Sequence, residues 1–392
     1  MPPSLFIVRD ALIDQQQNVL GYALRFSDEP EPPANLVNCV ASIHSINQHS
    51  TTKTAFIMPV TPDQLELPAG LPQEQTILSL AADALDDEQT FAAAKAIRHN
   101  GYGLYVRGAD ALPPGAPVLS VASHVETGFD KKELPDNARR LTHSVSPLTR
   151  VVVSGVSNWD EFERCATLDD EVSVLAGRLG TAQRPSKEDA ELATNQRLII
   201  RLMHLTQQNA GVGEIEAQFR RDPALTYTLL KFLSSVEYKR ATPVTTIRQA
   251  IAVMGYKPLY RWLSVLLGMS IEVCYSAFLI ETGLIRARFC ELLGAGLPES
   301  DEENLFTVGM LSAFELLLGM PMANVLKEMA MTPDIRDAIL FHQGPYGPYL
   351  GLALACETDG DAAALASQLG LDTKTVNRAH LEAIAWTKTL DI

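Results

Sequence analysis

The sequence predicts an α/β half followed by an all-α half, and three observations carry that division. From Ser4 to about Ala182 short β-rich runs alternate with helical ones, the pattern of repeated βα units. Beyond Lys187 the β-rich runs stop and short capped helices follow one another. Between the two, Gly180-Thr181-Ala182-Gln183-Arg184-Pro185-Ser186 has the composition of a linker. The chain is therefore divided into an α/β domain at 1–182, a linker at 183–186 and an all-helical domain at 187–392.

In the first half, Lys53–Val60, Thr76–Leu80, Tyr102–Arg107, Val118–Ala122 and Arg150–Ser154 read as strands. Pro33–Gln48, Asp87–Asn100 and Trp159–Thr167 read as helices between them. Asn100-Gly101 suits the left-handed turn that ends a helix, and a strand follows at once. Asp86-Asp87-Glu88 places acids where the free N–H groups of a helix start lie, and Asp169-Asp170-Glu171 reads as a solvated turn.

The second half is spelled by its caps. Ser186 or Lys187 begins a helix carrying Leu192, Leu198, Ile199, Leu202 and Leu205. Asp222 can accept from a free helix N–H, Pro223 fits the first helical position, and Leu225, Leu229, Leu230 and Leu233 make one apolar face. Thr245 starts the next helix, Gly255 ends it, and Pro258 opens a third through Trp262, Leu263, Leu266 and Leu267. The apolar run Trp262–Ile280 is long enough for a membrane span, but Glu272, Ser264, Gly268 and Ser270 interrupt it, so two buried helical segments are expected. Tyr346, between Gly344-Pro345 and Gly347-Pro348, is expected to pack in a rigid turn. The final helix, with Val376, Ala379, Ala383, Trp386 and Leu390 near one face, is expected to close the core, a homodimer contact being the alternative.

Composition narrows the function classes. The 392 residues are 46% hydrophobic and 20% charged, which specifies folded domains rather than disorder. A net charge of −15 disfavours general attraction to nucleic acid or an anionic membrane. The five cysteines are far apart and lack a Cys-x-x-Cys pair, which fits buried thiols in a reducing cytoplasm. The start of the chain has no basic stretch ahead of its short apolar run, so no signal peptide is expected. Neither a Gly-rich phosphate loop nor a Gly-x-Ser-x-Gly turn is present.

The capped run Arg220–Leu230, with Thr242–Ala250 and Met254-Gly255-Tyr256, resembles the HDOD domain, a relative of the HD phosphohydrolases in bacterial signalling proteins. Arg286–Leu293, Leu305–Ser312, Leu317–Pro321 and Pro333–Leu340 are similar to its later helices in order and spacing. An HD hydrolase needs an adjacent His-Asp pair to hold its metal, and none of the eight histidines precedes an aspartate.

Leu5–Asp10 and Leu20–Phe26 resemble the start of an EAL domain, the barrel phosphodiesterase that linearises cyclic di-GMP. With the tail Leu369–Asp372 and Val376–Ala383, the likeness extends to the two-domain EAL-HDOD signalling architecture, the YuxH-like proteins. It implies a (β/α) barrel, truncated here because about 180 residues fall short of the ~250 of a complete eightfold barrel.

The same resemblance implies a degenerate site. Ala23 stands where the family has the Glu of its name motif, Ser27 where it has an Arg, Met58 where it has a metal-binding Asn and Ser79 where it has a Glu. Arg107-Gly108 replaces the paired aspartates, Ser120 the usual Lys and Ser154 the next Glu. A thioether, hydroxyls and a guanidinium do not hold magnesium or manganese, which take hard, mostly anionic oxygen ligands.

No catalytic, metal or cofactor-binding residue is therefore assigned, and the leading expectation is a non-catalytic signalling scaffold that binds unidentified signalling proteins. A non-hydrolysing receptor for a nucleotide such as cyclic di-GMP is the alternative, and an active metal-dependent phosphodiesterase the second alternative. Between Lys231 and Arg261 six basic residues face one acid, Glu237, which nominates Lys239, Arg240, Lys257 and Arg261 as a docking surface for an acidic protein or a phosphate-bearing ligand.

Overall fold

The computed structural model describes residues 5–27, 54–65, 71–168, 171–182, 192–233, 244, 246–270, 277–329, 331–358 and 360–390. Eight strands form a closed barrel: β1 (Ile7–Ile13), β2 (Val19–Phe26), β3 (Ala55–Pro59), β4 (Thr76–Ala81), β5 (Gly103–Arg107), β6 (His124–Gly128), β7 (Arg150–Val156) and β8 (Val174–Gly177). The strand β1 runs antiparallel to both neighbours, and the pairs from β2 to β8 are parallel. Alternation along each strand sorts the side chains into two layers. Leu12, Ile57, Ile77, Tyr105, Val152, Val174 and Ala176 fill the lumen. Ile7, Met58, Leu78, Leu104, Val106, Val125 and Val153 face outward into a core continuous with the helical half.

The barrel's helical coat is incomplete among the described residues. Only 3₁₀ turns at Ala109–Ala111 and Pro117–Ser120 join β5 to β6, while α1 (Glu88–His99), α2 (Leu134–Ser144) and α3 (Trp159–Ala166) precede β5, β7 and β8. Asp87 caps α1, its carboxylate accepting from Thr90 N at 2.8 Å. Near the end of β7 the pairing passes from Val153↔Leu175 to Val156↔Gly177, a one-residue bulge at which Gly155 adopts φ +79°. A Cβ on Gly177 would lie 2.0 Å from Val156 O, so only glycine fits against the bulge.

One sequence expectation is corrected in this half, and two elements went unread. Val118–Ala122 is a 3₁₀ turn and its continuation, and the strand lies later, at His124–Gly128. Pro117 starts the turn, and the strand itself carries His124 and Glu126 on its inner face, which hides it from an apolar-alternation pattern. The helix α2 and the strand β8 went unread, α2 because its many polar residues leave a narrow apolar stripe of Leu134, Ala138 and Leu141. The expected helix at Pro33–Gln48 and the linker at 183–186 lie outside the described residues.

Thirteen described helices follow: α4 (Thr194–Gln207), α5 (Val212–Phe219), α6 (Pro223–Leu233), α7 (Ile247–Met254), α8 (Tyr256–Met269), α9 (Ala277–Leu293), α10 (Glu299–Leu311), α11 (Phe314–Leu318), α12 (Met322–Met329), α13 (Pro333–Phe341), α14 (Gly347–Thr358), α15 (Ala362–Gln368) and α16 (Thr373–Thr387). Asp222 caps α6 as its sequence requires, accepting from Leu225 N at 3.0 Å. The cap of α7 is Thr246 rather than Thr245, with Gln249 completing a capping box. Leu192 precedes α4, whose first residue is Thr194. The apolar run Trp262–Ile280 is divided between α8 and α9, and no described helix is long and apolar enough to cross a membrane. Tyr346 is buried, donating to Asp301 Oδ1 and accepting from Asn304 Nδ2, both at 2.8 Å.

The helical half closes onto β1. The pairing between β1 and β8 covers only Ala11–Ile13, so the earlier part of β1 lacks a strand on that side. Side chains of α16 and α14 occupy the place. Arg9 donates to Glu357 Oε1 at 2.6 Å, and Arg286 of α9 approaches the same carboxylate at 2.7 Å through Nη2. Burial alone would raise the Glu357 carboxyl, but Arg286 and Arg9 hold it below its ordinary value. Tyr22 of β2 donates to Glu281 of α9 at 2.5 Å, and Lys388 reaches the same carboxylate at 2.5 Å.

A polar cavity at the barrel mouth

The carboxyl ends of the parallel strands surround a cavity of about 400 Å³. Closed α/β barrels present their loops and working side chains at this end. Three guanidinium groups, Arg25, Arg107 and Arg178, stand around it with two carboxylates, Asp10 and Glu126. Because β1 runs antiparallel, its early residue Asp10 reaches the mouth opposite Ala23. Arg25 Nε lies 3.2 Å from one Asp10 oxygen and Arg178 Nε 3.4 Å from the other. Arg178 also donates to Thr358 O, at the end of α14, at 3.2 Å.

Glu126 faces the lumen from β6. Burial raises its carboxyl above the ordinary value, opposed by a hydrogen bond from Ser154 and by the charge of Arg107. Burial also raises the Tyr105 phenol, which therefore stays protonated. The rim and wall thus offer hydroxyls from Tyr105, Ser79, Ser154 and Ser157 beside three cations. With three guanidinium groups against two carboxylates, this set suits an anionic oxygen ligand better than a divalent cation. Among the described residues no group of three or more His, Cys, Asp or Glu stands close enough to hold a metal ion.

The positions singled out in the sequence divide cleanly. Ala23, Ser79, Arg107 and Ser154 line the mouth. Ser27 lies just beyond β2, its N–H donating to Phe6 O at 2.9 Å. Met58 is fully buried and belongs to the outer layer, while its neighbours Ile57 and Pro59 line the cavity. Gly108 turns the chain after β5 with φ +67°.

Ser120 is outside the mouth. Its hydroxyl donates to Pro117 O at 2.6 Å, and the inward residue on the strand is Glu126. The shift follows from placing β6 too early, which also left Glu126 unread. Asp10 was unread for a different reason: an acid ending an apolar run gives no signal of the chain direction that carries it to the mouth.

Of the nominated docking residues, the two that are described, Lys257 and Arg261, are each paired with acids. Lys257 Nζ lies 2.6 Å from Glu303 and 3.0 Å from Glu299. Arg261 pairs with Glu291, and its guanidinium sits 4.4 Å from the Phe306 ring centre. Both belong to α8, whose acids come from α9 and α10, distant in sequence and invisible to a local charge count. Lys239 and Arg240 lie outside the described residues.

The HDOD domain family matches residues 192–331. The chain is 27% identical over 194 residues to the uncharacterized protein YuxH of Bacillus subtilis, covering 48% of this chain and 47% of YuxH. It is 21% identical to the cyclic di-GMP phosphodiesterase CdgJ of Vibrio cholerae, over 98% of this chain and 93% of CdgJ. Among solved structures, the EAL domain of Mycobacterium smegmatis DcpA aligns with a TM-score of 0.35 at 14% identity, over 44% of this chain and 90% of that one. An HDOD domain protein from Geobacter sulfurreducens aligns with a TM-score of 0.33 at 17% identity, over 50% and 94%. Residues 192–331 thus carry the HDOD match, and they follow a closed eight-stranded barrel in the order expected of an EAL-HDOD protein.

Proposed function

We propose that this protein acts without catalysis in cyclic-di-GMP-related regulation, using its EAL and HDOD folds as binding surfaces for signalling proteins. The observation that supports this reading is the chemistry of the barrel mouth. Ala23, Ser79, Arg107 and Ser154 line it at positions where the EAL resemblance implies metal-binding or acidic groups. A guanidinium at Arg107 repels a divalent cation, hydroxyls at Ser79 and Ser154 are weak ligands, and the two carboxylates of the mouth, Asp10 and Glu126, are outnumbered by Arg25, Arg107 and Arg178. Metal-activated water, the nucleophile of a two-metal phosphodiesterase, then has no holder.

A second reading is favoured by Arg25, Arg107 and Arg178 around a cavity of about 400 Å³. Guanidinium groups bind phosphate oxygens bidentately, so the mouth would retain a phosphate-bearing nucleotide without cleaving it. The size falls within the roughly 300 to 1,000 Å³ of small-molecule sites.

Calorimetric titration of the full chain with cyclic di-GMP in manganese buffer, with hydrolysis followed in the same samples, separates the readings. Silence in both supports the scaffold. Binding without turnover that is lost in Arg107→Glu supports the receptor. Turnover would overturn both and place this chain with the activity in CdgJ's name.

A further inference from the structure

We propose that Asp10 is a built-in occupant of a phosphate seat between Arg25 and Arg178, and that a phosphate group binds there by displacing it; this rests on the receptor reading of the barrel mouth and names what limits its affinity. Asp10 reaches the cavity from β1, and each of its carboxylate oxygens meets a different guanidinium. Its Oδ2 lies 3.2 Å from Arg25 Nε and its Oδ1 3.4 Å from Arg178 Nε. Two oxygens of one anion set against two cations is also how a phosphate group is held. The chain shows with its own side chain what the seat accepts.

The adjacent residue, Arg9, belongs to a carboxylate clasp of a different kind. Arg9 and Arg286 hold Glu357 at 2.6 and 2.7 Å, and all three side chains are buried. Around Asp10 the two distances, 3.2 and 3.4 Å, exceed the roughly 2.7 to 2.9 Å of a strong charge-assisted bond. The side chains of Arg25 and Arg178 are 31% and 39% exposed, so water screens both pairs and leaves them little weight in stability. Glu357 is built to hold the fold, whereas Asp10 is placed to be exchanged.

The seat outlasts the departure of its occupant. Arg178 also donates to Thr358 O at 3.2 Å, a bond that keeps its guanidinium at the mouth when Asp10 leaves. Ala23, directly across from Asp10 on β2, adds only a methyl group to the lining. Arg107 lines the same cavity from β5, so a phosphate that replaces Asp10 meets a third cation there. The cavity, about 400 Å³ in volume, leaves room for whatever carries the phosphate. Until displacement occurs the seat is closed, and the apparent affinity falls by the fraction of time that it is open.

The test is calorimetric titration of the full chain with inorganic phosphate and, separately, with cyclic di-GMP, using the unaltered protein, Asp10→Asn, Arg25→Gln and the double variant. Asp10→Asn keeps the size of the side chain and removes its charge, and it binds phosphate about tenfold more tightly than the unaltered chain. In the Arg25→Gln background the same change gains less than about twofold, because half of the seat is gone. Circular dichroism melts check that each variant folds, and Asp10→Ser takes the place of Asp10→Asn if the latter does not. Equal or weaker phosphate binding by Asp10→Asn, a full gain that persists beside Arg25→Gln, or no phosphate binding by either chain below about 10 mM overturns the proposal. Cyclic di-GMP separates the two readings. Silence from the unaltered chain, beside phosphate binding that Asp10→Asn strengthens, removes the receptor for that nucleotide and keeps the seat. Cyclic di-GMP binding that Asp10→Asn leaves unchanged keeps the receptor and removes the seat.

Discussion

Asn377 of α16 completes the backbone hydrogen bonding of Ile7 in β1: its Oδ1 accepts from Ile7 N at 2.8 Å, and its Nδ2 donates to Leu5 O at 2.9 Å. One amide side chain therefore does for β1 what a neighbouring strand does elsewhere in the barrel. The contact spans 370 positions of sequence, so neither half completes its structure alone. Asn377→Ala removes both bonds and leaves a buried N–H unmet, a loss of about 2 to 4 kcal/mol. Urea unfolding monitored by circular dichroism measures it, and a change below about 0.5 kcal/mol, the ordinary scatter of surface substitutions, would refute the role.

Glu357 carries the second tie between the halves, with Arg9 and Arg286 on either side of its buried carboxylate. Glu357→Gln keeps the shape but leaves two buried guanidinium groups without a counter-charge. The expected cost is about 3 to 5 kcal/mol, larger than for an exposed pair such as Arg378–Glu382, which water screens. Denaturant midpoints of Glu357→Gln and Glu382→Gln compare the two directly. Similar small shifts in both would show that the buried cluster does not hold the halves together.

Stability should fall as pH drops below about 6.5, the ordinary histidine value. His380 accepts from Arg9 through Nε2 at 2.6 Å and meets Ile7 O through Nδ1 at 3.1 Å, an arrangement that needs the neutral ring. Burial and then Arg9 hold its pKa well below the ordinary value. His124 is lowered to about 4 by burial, then by Arg150 and Arg98.

For both rings the unfolded chain binds more protons than the folded one, so stability is lost as acid charges the unfolded state. His124 alone contributes on the order of 2 kcal/mol between neutral pH and pH 5. Glu357, with its carboxyl depressed, keeps its contribution above about 4.3 and loses it as pH falls through its folded value. Thermal melts from pH 7.5 to 5 should show a declining midpoint, shallower in His124→Gln and His380→Gln. A flat profile in the unaltered chain would contradict the assignment.

The division of the fold was legible because caps and periodicity are local. Asp87, Asp222 and the alternation of β4 and β5 each announce themselves within a few residues. The mouth was only half legible. Ser79 and Arg107 are placed by strands read correctly, whereas Glu126 depends on the start of β6 and Asp10 on the antiparallel direction of β1. The ties Asn377–Ile7 and Arg9–Glu357 were not legible, since their partners stand on elements whose docking no local pattern encodes. The neutralisation of Lys257 and Arg261 failed to show for the same reason.

Met58 separates a lost metal site from one that a single substitution could restore. The EAL resemblance puts a metal-binding Asn at this position, yet here Met58 is fully buried in the outer layer, and Ile57 and Pro59 are the residues of β3 that meet the cavity. An amide at Met58 would enter apolar surroundings without a partner and would not face the mouth. Met58→Asn is therefore expected to cost about 2 to 4 kcal/mol and to add no manganese affinity. Ala23→Glu, by contrast, places a carboxylate in the mouth near Arg25, Arg107 and Arg178, with little effect on stability. Urea unfolding and manganese titration of both variants check the contrast. Tight manganese binding by Met58→Asn would mean that this strand faces the other way.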